Sequence, residues 1–167
     1  MCRTPLLNLH MYMHLVYDNS SDGYYFVTIC THNKAHIFGS VIDGKVQMNQ
    51  FGCIATEELE NIACHYELIS AIKSVVMPNH VHAIIVINNE ERSRPFPTAL
   101  PTVIGLYKSG VSKRIHQLNP DLNVWQKSFY DHSIRDENEY LRVWKYIDEN
   151  PIKWDTDEYY TTRREGS

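Results

Sequence analysis

Residues 68–87 read LISAIKSVVMPNHVHAIIVI. Two runs rich in β-branched and apolar residues flank Pro78-Asn79, a pair that breaks extended structure. The reading is a hairpin of two long strands, the first over residues 68–76 and the second starting at His80. Ala83 to Ile87 are continuously apolar, which predicts a buried strand. That strand nevertheless opens with His80 and His82, and strand residues two apart point to one face. Both imidazoles therefore emerge side by side, and burying polar rings without partners is costly. Their partners must come from elsewhere in the chain.

Working outward, residues 24–32 (YYFVTICTH) predict a further strand. Asp43-Gly44 is a hairpin-type turn ahead of a short strand at 45–48. Residues 52–64 carry Ile54, Leu59 and Ile62 among Glu57, Glu58 and Glu60, a helical pattern. Residues 88–101, with Pro95, Pro97 and Pro101, predict a loop. A second helix is predicted over 102–117, ended by Asn119-Pro120, followed by a segment with strand character over 124–134. Asp136 opens a last helix with Glu139 as its capping-box partner, and Pro151 closes it. This order predicts an α+β ferredoxin-like sandwich, an antiparallel sheet with the histidine pair on a central strand, covered by helices.

The 167-residue chain is expected to form one domain, residues 1–167, with an irregular N-terminal segment 1–22. Cys2, Cys30, Cys53 and Cys64 are scattered without a CxxC pair. No run reaches the ~20 apolar residues of a membrane span, and residues 1–22 lack signal-peptide features. The expectation is a cytoplasmic protein with no membrane association and neither a disulfide framework nor a cysteine zinc site. The net charge of −4 is unevenly spread: residues 92–145 hold nine Lys/Arg against five Asp/Glu. A local basic surface of this kind suits phosphates despite the acidic total.

An H-x-H pair fits structural histidines as well as two ligands of a divalent metal. His10/His14 and His32/His36 are weaker pairs outside any confident helix. On the wheel of the last helix, Tyr140, Val143, Trp144 and Ile147 form the apolar stripe. Tyr146 and Asn150, four apart on one face, fall at its rim, where a phenol reaches a site on the sheet while staying open to a substrate. Spacing alone does not choose Tyr146 over Tyr140 or Tyr130.

The stretches GYYFVTICTHNKAHIFG, VVMPNHVHAIIVI, IGLYKSGVSKRI, VWQKSFYDHSIRDENEY and YIDENPIKW run in order from about residue 23 to 155. They resemble the REP-associated tyrosine transposases, a branch of the single-tyrosine HUH transposases. The resemblance implies that His80 and His82 bind a catalytic metal, Mg²⁺ or Mn²⁺, with Asn150 as third polar ligand. It implies Tyr146 as nucleophile of a single-stranded DNA endonuclease and strand-transferase working through a 5′-phosphotyrosine, without a nucleotide cofactor. The implied partner is single-stranded or hairpin DNA, and relatives of this type act as homodimers or as monomers. Lys108, Lys113, Arg114, Lys127 and Arg135 are candidate phosphate contacts, and Asp131 and His132 of the FYDH motif are placed near the DNA or the active site. Trp125 and Phe129 are read as core rather than as base-stacking residues. The competing readings are a domesticated, non-catalytic hairpin-DNA-binding protein and a replication-initiator or relaxase-type nuclease, the latter disfavoured by the short chain.

Overall fold

A computed structural model describes residues 23–65, 69–87 and 99–161. The irregular segment 1–22, the His10/His14 pair and most of the proline-containing loop lie outside the described residues. The hairpin is strand β4 (Ile69–Met77) paired antiparallel with β5 (His80–Ile87), turning at Pro78-Asn79. Strand β1 (Gly23–Cys30) lies on the other side of β5, and the short β6 (Tyr130–Ser133) pairs with β1 at the edge. The order β4-β5-β1-β6, antiparallel throughout, is that of a ferredoxin-like sheet with the histidine strand at its centre. All eight residues of β5 are buried, so its apolar run lacks polar alternation because both faces are covered.

Helices α1 (Gln50–His65) and α2 (Leu100–His116) cover one face, packing Ile54, Leu59, Val103, Tyr107 and Ile115 against Val27, Val81 and Ile85. Helix α3 (Glu137–Glu149) covers part of the other, setting Tyr140, Val143 and Ile147 on Tyr24, Ile84 and Val86. Pro101, expected in a loop, stands in the first turn of α2, where a proline costs no helical hydrogen bond. The predicted strand character over 124–134 reduces to β6 and an isolated bridge between Thr31 and Trp125. Trp125 and Phe129 pack on the core of the α1/α2 face.

The side hairpin of β2 (Gly39–Ile42) and β3 (Lys45–Met48) turns at Asp43 (φ 51°) and Gly44 (φ 69°), the left-handed pair of a type I′ turn. Asp136 caps α3 by accepting from the Glu139 amide at 2.8 Å, while Glu139 Oε2 accepts from the Arg135 amide at 2.9 Å, one residue before the usual capping-box donor. Lys73 ties α3 to β4 by pairing with Asp148 and lying 4.7 Å over the Trp144 ring. Cys30 and Cys53 are free thiols, whereas Cys64 is disulfide-bonded, a departure from the all-reduced expectation. Among the described residues, no helix is long and apolar enough to cross a membrane.

Two helical glycines make opposite predictions. A Cβ on Gly52 would overlap the Phe38 carbonyl oxygen, whereas a Cβ on Gly105 meets nothing within 4 Å. Gly52→Ala should destabilise by about 1–3 kcal/mol through overpacking. Gly105→Ala should stabilise by about 0.5–1 kcal/mol through helix propensity. Urea unfolding midpoints of the two variants check both signs.

Candidate active site

The β1–β5 register sets Thr28 opposite His82, and the alternation of β5 turns both histidines toward α3 rather than toward α1 and α2. Both are fully buried, with ring centroids 4.5 Å apart. The Asn79 amide donates to the Tyr159 carbonyl at 2.8 Å, which leaves its Oδ1 to accept from His80 Nδ1 at 2.8 Å. In neutral His80 the lone pair then lies on Nε2, and this atom faces Asn150 Oδ1 at 3.3 Å. The Asn150 amide is itself committed, donating to Asp157 Oδ2 at 2.6 Å, so its oxygen must be the atom turned to the ring. Two acceptor atoms therefore face each other.

His82 adds to this. Its Nδ1 pairs with Thr28 Oγ1 at 2.8 Å, while its Nε2 is buried without a hydrogen-bond partner. Burial pushes the His80 pKa down to about 4, against the opposing pull of Asp157 and the Asn150 bond. Burial, and secondly His80, lowers His82 as well. Both rings are thus neutral near pH 7. Ligand atoms of His80, His82 and Asp157 lie within 4.8 Å of one another. Convergent lone pairs with an orphaned buried nitrogen are the donor set of a divalent-cation site, and these residues fit one.

Tyr146 lies one turn before Asn150, 38% exposed, with its ring 5.2 Å from His82 and 5.9 Å from Phe26. Burial raises its pKa first, then the carboxylates of Asp157 and Glu158, while a bond to Asn150 opposes them. Tyr140 is 5% exposed and set edge-on to Tyr24, and Tyr130 stands on β6. The helix wheel thus separates Tyr140 from Tyr146 as the structure does. A fourth, Tyr159, lies 4.7 Å from His80 and 5.7 Å from His82, its pKa pushed up to about 12 by burial and then Glu158.

Of the other residues singled out from sequence, Asp131 and His132 line the hollow beside the histidines, and His132 pairs with Glu139 at 3.2 Å. Lys127 and Arg135 flank β6. Lys108, Lys113 and Arg114 stand on α2, behind the sheet, and are not brought to the histidine pair. Arg114 pairs with Glu57 at 2.6 Å and Glu58 at 2.9 Å, and Lys108 donates to the Gln126 carbonyl at 2.5 Å. Sequence reasoning missed Asp157, Thr28 and Tyr159. For Asp157 the available signal was a carboxylate just past a proline-terminated helix that already carried two candidates.

No family model matches the chain. An uncharacterized protein of Haemophilus influenzae is 34% identical over 159 residues, spanning 86% of this chain and 88% of that one. A REP-associated tyrosine transposase bound to a REP hairpin is similar in structure, with a TM-score of 0.55 and 17% identity over 79% of this chain and 68% of its own. A candidate transposase from Deinococcus radiodurans R1 gives a TM-score of 0.53 and 15% identity over 78% and 92% of the two chains. At these identities the structural likeness is one of fold.

The lowered histidine pKa values make a signed prediction. Between an unfolded value near 6.5 and the folded value of about 4 for His80, the unfolded chain binds more protons. Stability is then complete above about pH 6.5 and lost as pH falls toward 4, by an amount on the order of 3 kcal/mol. Urea unfolding in EDTA at pH 7 and pH 4.5 measures it. Equal midpoints would contradict a buried neutral pair.

Proposed function

This chain belongs to one family with the Haemophilus influenzae protein and has the fold of the REP-associated tyrosine transposases, and from that footing we propose that it is a divalent-metal-dependent transposase of single-stranded DNA. The reading includes nicking and strand transfer at hairpin or repeat DNA, with Tyr146 as nucleophile. The observation that carries it is the orphaned His82 Nε2, buried beside a His80 lone pair and within reach of a half-exposed phenol.

His80 and His82 would hold the ion, with Asn150 Oδ1 or the Asp157 carboxylate completing the set. When bound, such an ion supplies charge neutralisation at the scissile phosphate and eases loss of the phenolic proton. Mn²⁺ accepts imidazole readily, whereas Mg²⁺ prefers oxygen. The chain's own contribution is positioning. Asn79 and Thr28 fix the imidazole orientations, Asp157 fixes Asn150, and α3 delivers Tyr146 to the rim of the same face. The Tyr146 oxygen attacks phosphorus, the P–O3′ bond breaks, and the products are a 5′-phosphotyrosine and a free 3′-hydroxyl. Because the new ester keeps the energy of the phosphodiester, attack by another 3′-hydroxyl rejoins DNA and restores the phenol without a nucleotide cofactor. Lys127 and Arg135, near β6, are the proposed phosphate contacts on this side of the sheet. We place this activity in the cytoplasm; one or two copies per complex both suit it.

Incubating the chain and Mn²⁺ with single-stranded DNA from the flanks of its own gene should give a detergent-resistant adduct, with the modified peptide containing Tyr146. Tyr146→Phe should bind hairpin DNA normally and form no adduct. His82→Ala should lower adduct formation at least ~100-fold, the scale of losing several kcal/mol of transition-state stabilisation, and weaken Mn²⁺ binding in calorimetry. An adduct on Tyr130, Tyr140 or Tyr159 would refute the assignment. Hairpin binding without any adduct would favour the non-catalytic binding protein.

A further inference from the structure

We infer that Arg142 is a further catalytic residue, its guanidinium holding the non-bridging oxygens of the phosphate that Tyr146 attacks. This rests on the transposase reading above and adds to it a positive centre supplied by the chain itself, apart from the metal set.

Arg142, Tyr146 and Asn150 follow one another at intervals of four along α3 and its end. They therefore form a row on one face, each about 6 Å of helix rise from the next. Tyr146 stands in the middle. On one side of it Asn150 joins His80 and Asp157 by its hydrogen bonds, and on the other side stands Arg142. Arg142 and Tyr146 line one hollow of about 470 Å³ together with His82, Thr28 and Phe26. A phosphate seated there between the phenol and His82 has a guanidinium on the wall of the same space.

Charge sets Arg142 apart from an ordinary helix-surface cation. Among the described residues it makes no hydrogen bond or ion pair, whereas Lys145 on the same helix pairs with Glu149 at 3.5 Å. Its natural partner is Glu139, three residues earlier. Glu139 is instead taken by His132 at 3.2 Å and by the Arg135 amide at 2.9 Å. The other carboxylate lining the hollow is Glu158, exposed on the stretch that follows α3. Arg142 is the only Lys or Arg there among the described residues. With Glu139 turned to His132, Arg142 balances Glu158; without it, an anion approaching the phenol would be repelled.

The guanidinium fork suits the task, because its planar N–H donors match phosphate oxygens and it stays protonated. In the step, the bond from the Tyr146 oxygen to phosphorus forms and the P–O3′ bond breaks. The phenolic proton passes to solvent and the 3′-oxygen takes one up. Arg142 exchanges no proton: it holds the phosphate in place and stabilises charge on the two oxygens that neither bond involves.

Two measurements test this, one of them without metal or cleavage. Arg142→Gln puts a good helix former at an exposed site, so the fold should be kept. Lys145→Gln removes the same charge from the same helix and serves as control. In EDTA, binding of a fluorescent single-stranded oligonucleotide from the flank of the gene should lose about 0.7 of salt slope in Arg142→Gln, the value of one phosphate contact, and none in Lys145→Gln. With Mn²⁺ and saturating DNA, the single-turnover rate of adduct formation should fall about 100-fold in Arg142→Gln and hold in Lys145→Gln. An unmoved salt slope, an unmoved adduct rate, or an equal loss in the control would overturn the role of Arg142 and leave the transposase reading standing. A wild-type chain that binds the oligonucleotide but forms no adduct counts against that reading. The phosphate contact then stands if the slope still falls in Arg142→Gln alone, and falls with the reading if it does not.

Discussion

Two neutral imidazoles buried side by side on the central strand are the constraint from which the rest of the site follows. Each spends one nitrogen on a protein partner, which leaves a lone pair on His80 Nε2 and leaves His82 Nε2 without a hydrogen-bond partner. Asn79 and Thr28 take the first role, and the consequence is that His80 Nε2, His82 Nε2 and Asn150 Oδ1 face one small space together. Nothing in an apolar core favours such an arrangement, because unpaired acceptors in a low dielectric are expensive. The fold carries that cost at a place where a cation would offset it. Asp157 then has two tasks, holding the Asn150 amide so that its oxygen cannot turn away and adding negative charge beside the pair.

The sheet divides the labour between its faces. Behind it, α1 and α2 bury a large contiguous core that the site does not use, and the ion pairs of Arg114 with Glu57 and Glu58 knit these two helices together. In front, α3 covers β4, β5 and the Tyr24 end of β1 and leaves the rest of β1 and β6 more open. The open side carries the hollow lined by Phe26, Thr28 and His132. A single amphipathic helix thus has its stripe buried on the sheet and its rim, with Tyr146, presented to the histidines.

What could be read from the chain alone follows from periodicity. The hairpin, the shared face of His80 and His82, and the division of Tyr140 from Tyr146 are all consequences of periods of two and 3.6, which survive in one dimension. The groups missed have no period to betray them. Thr28 is a partner of His82 only through a register joining positions 54 residues apart. Asp157 and Tyr159 arrive through a short 3-10 turn, Trp154–Thr156, after the helix has ended. The basic stretch has the same limit. Counting charge along residues 92–145 could not reveal that Arg114 already had acidic partners on α1, 56 and 57 residues away.

The order of these parts along the chain also matters during synthesis. Strands β1, β4 and β5 and helix α1 leave the ribosome first, whereas Tyr146, Asn150, Asp157 and Tyr159 emerge last among the groups of the site. A nascent polypeptide can therefore assemble its histidine strand long before a phenol or a carboxylate stands beside it. Products truncated ahead of α3 lack Tyr146, Asn150 and Asp157 altogether, so incomplete translation yields chains whose histidine strand has none of these neighbours.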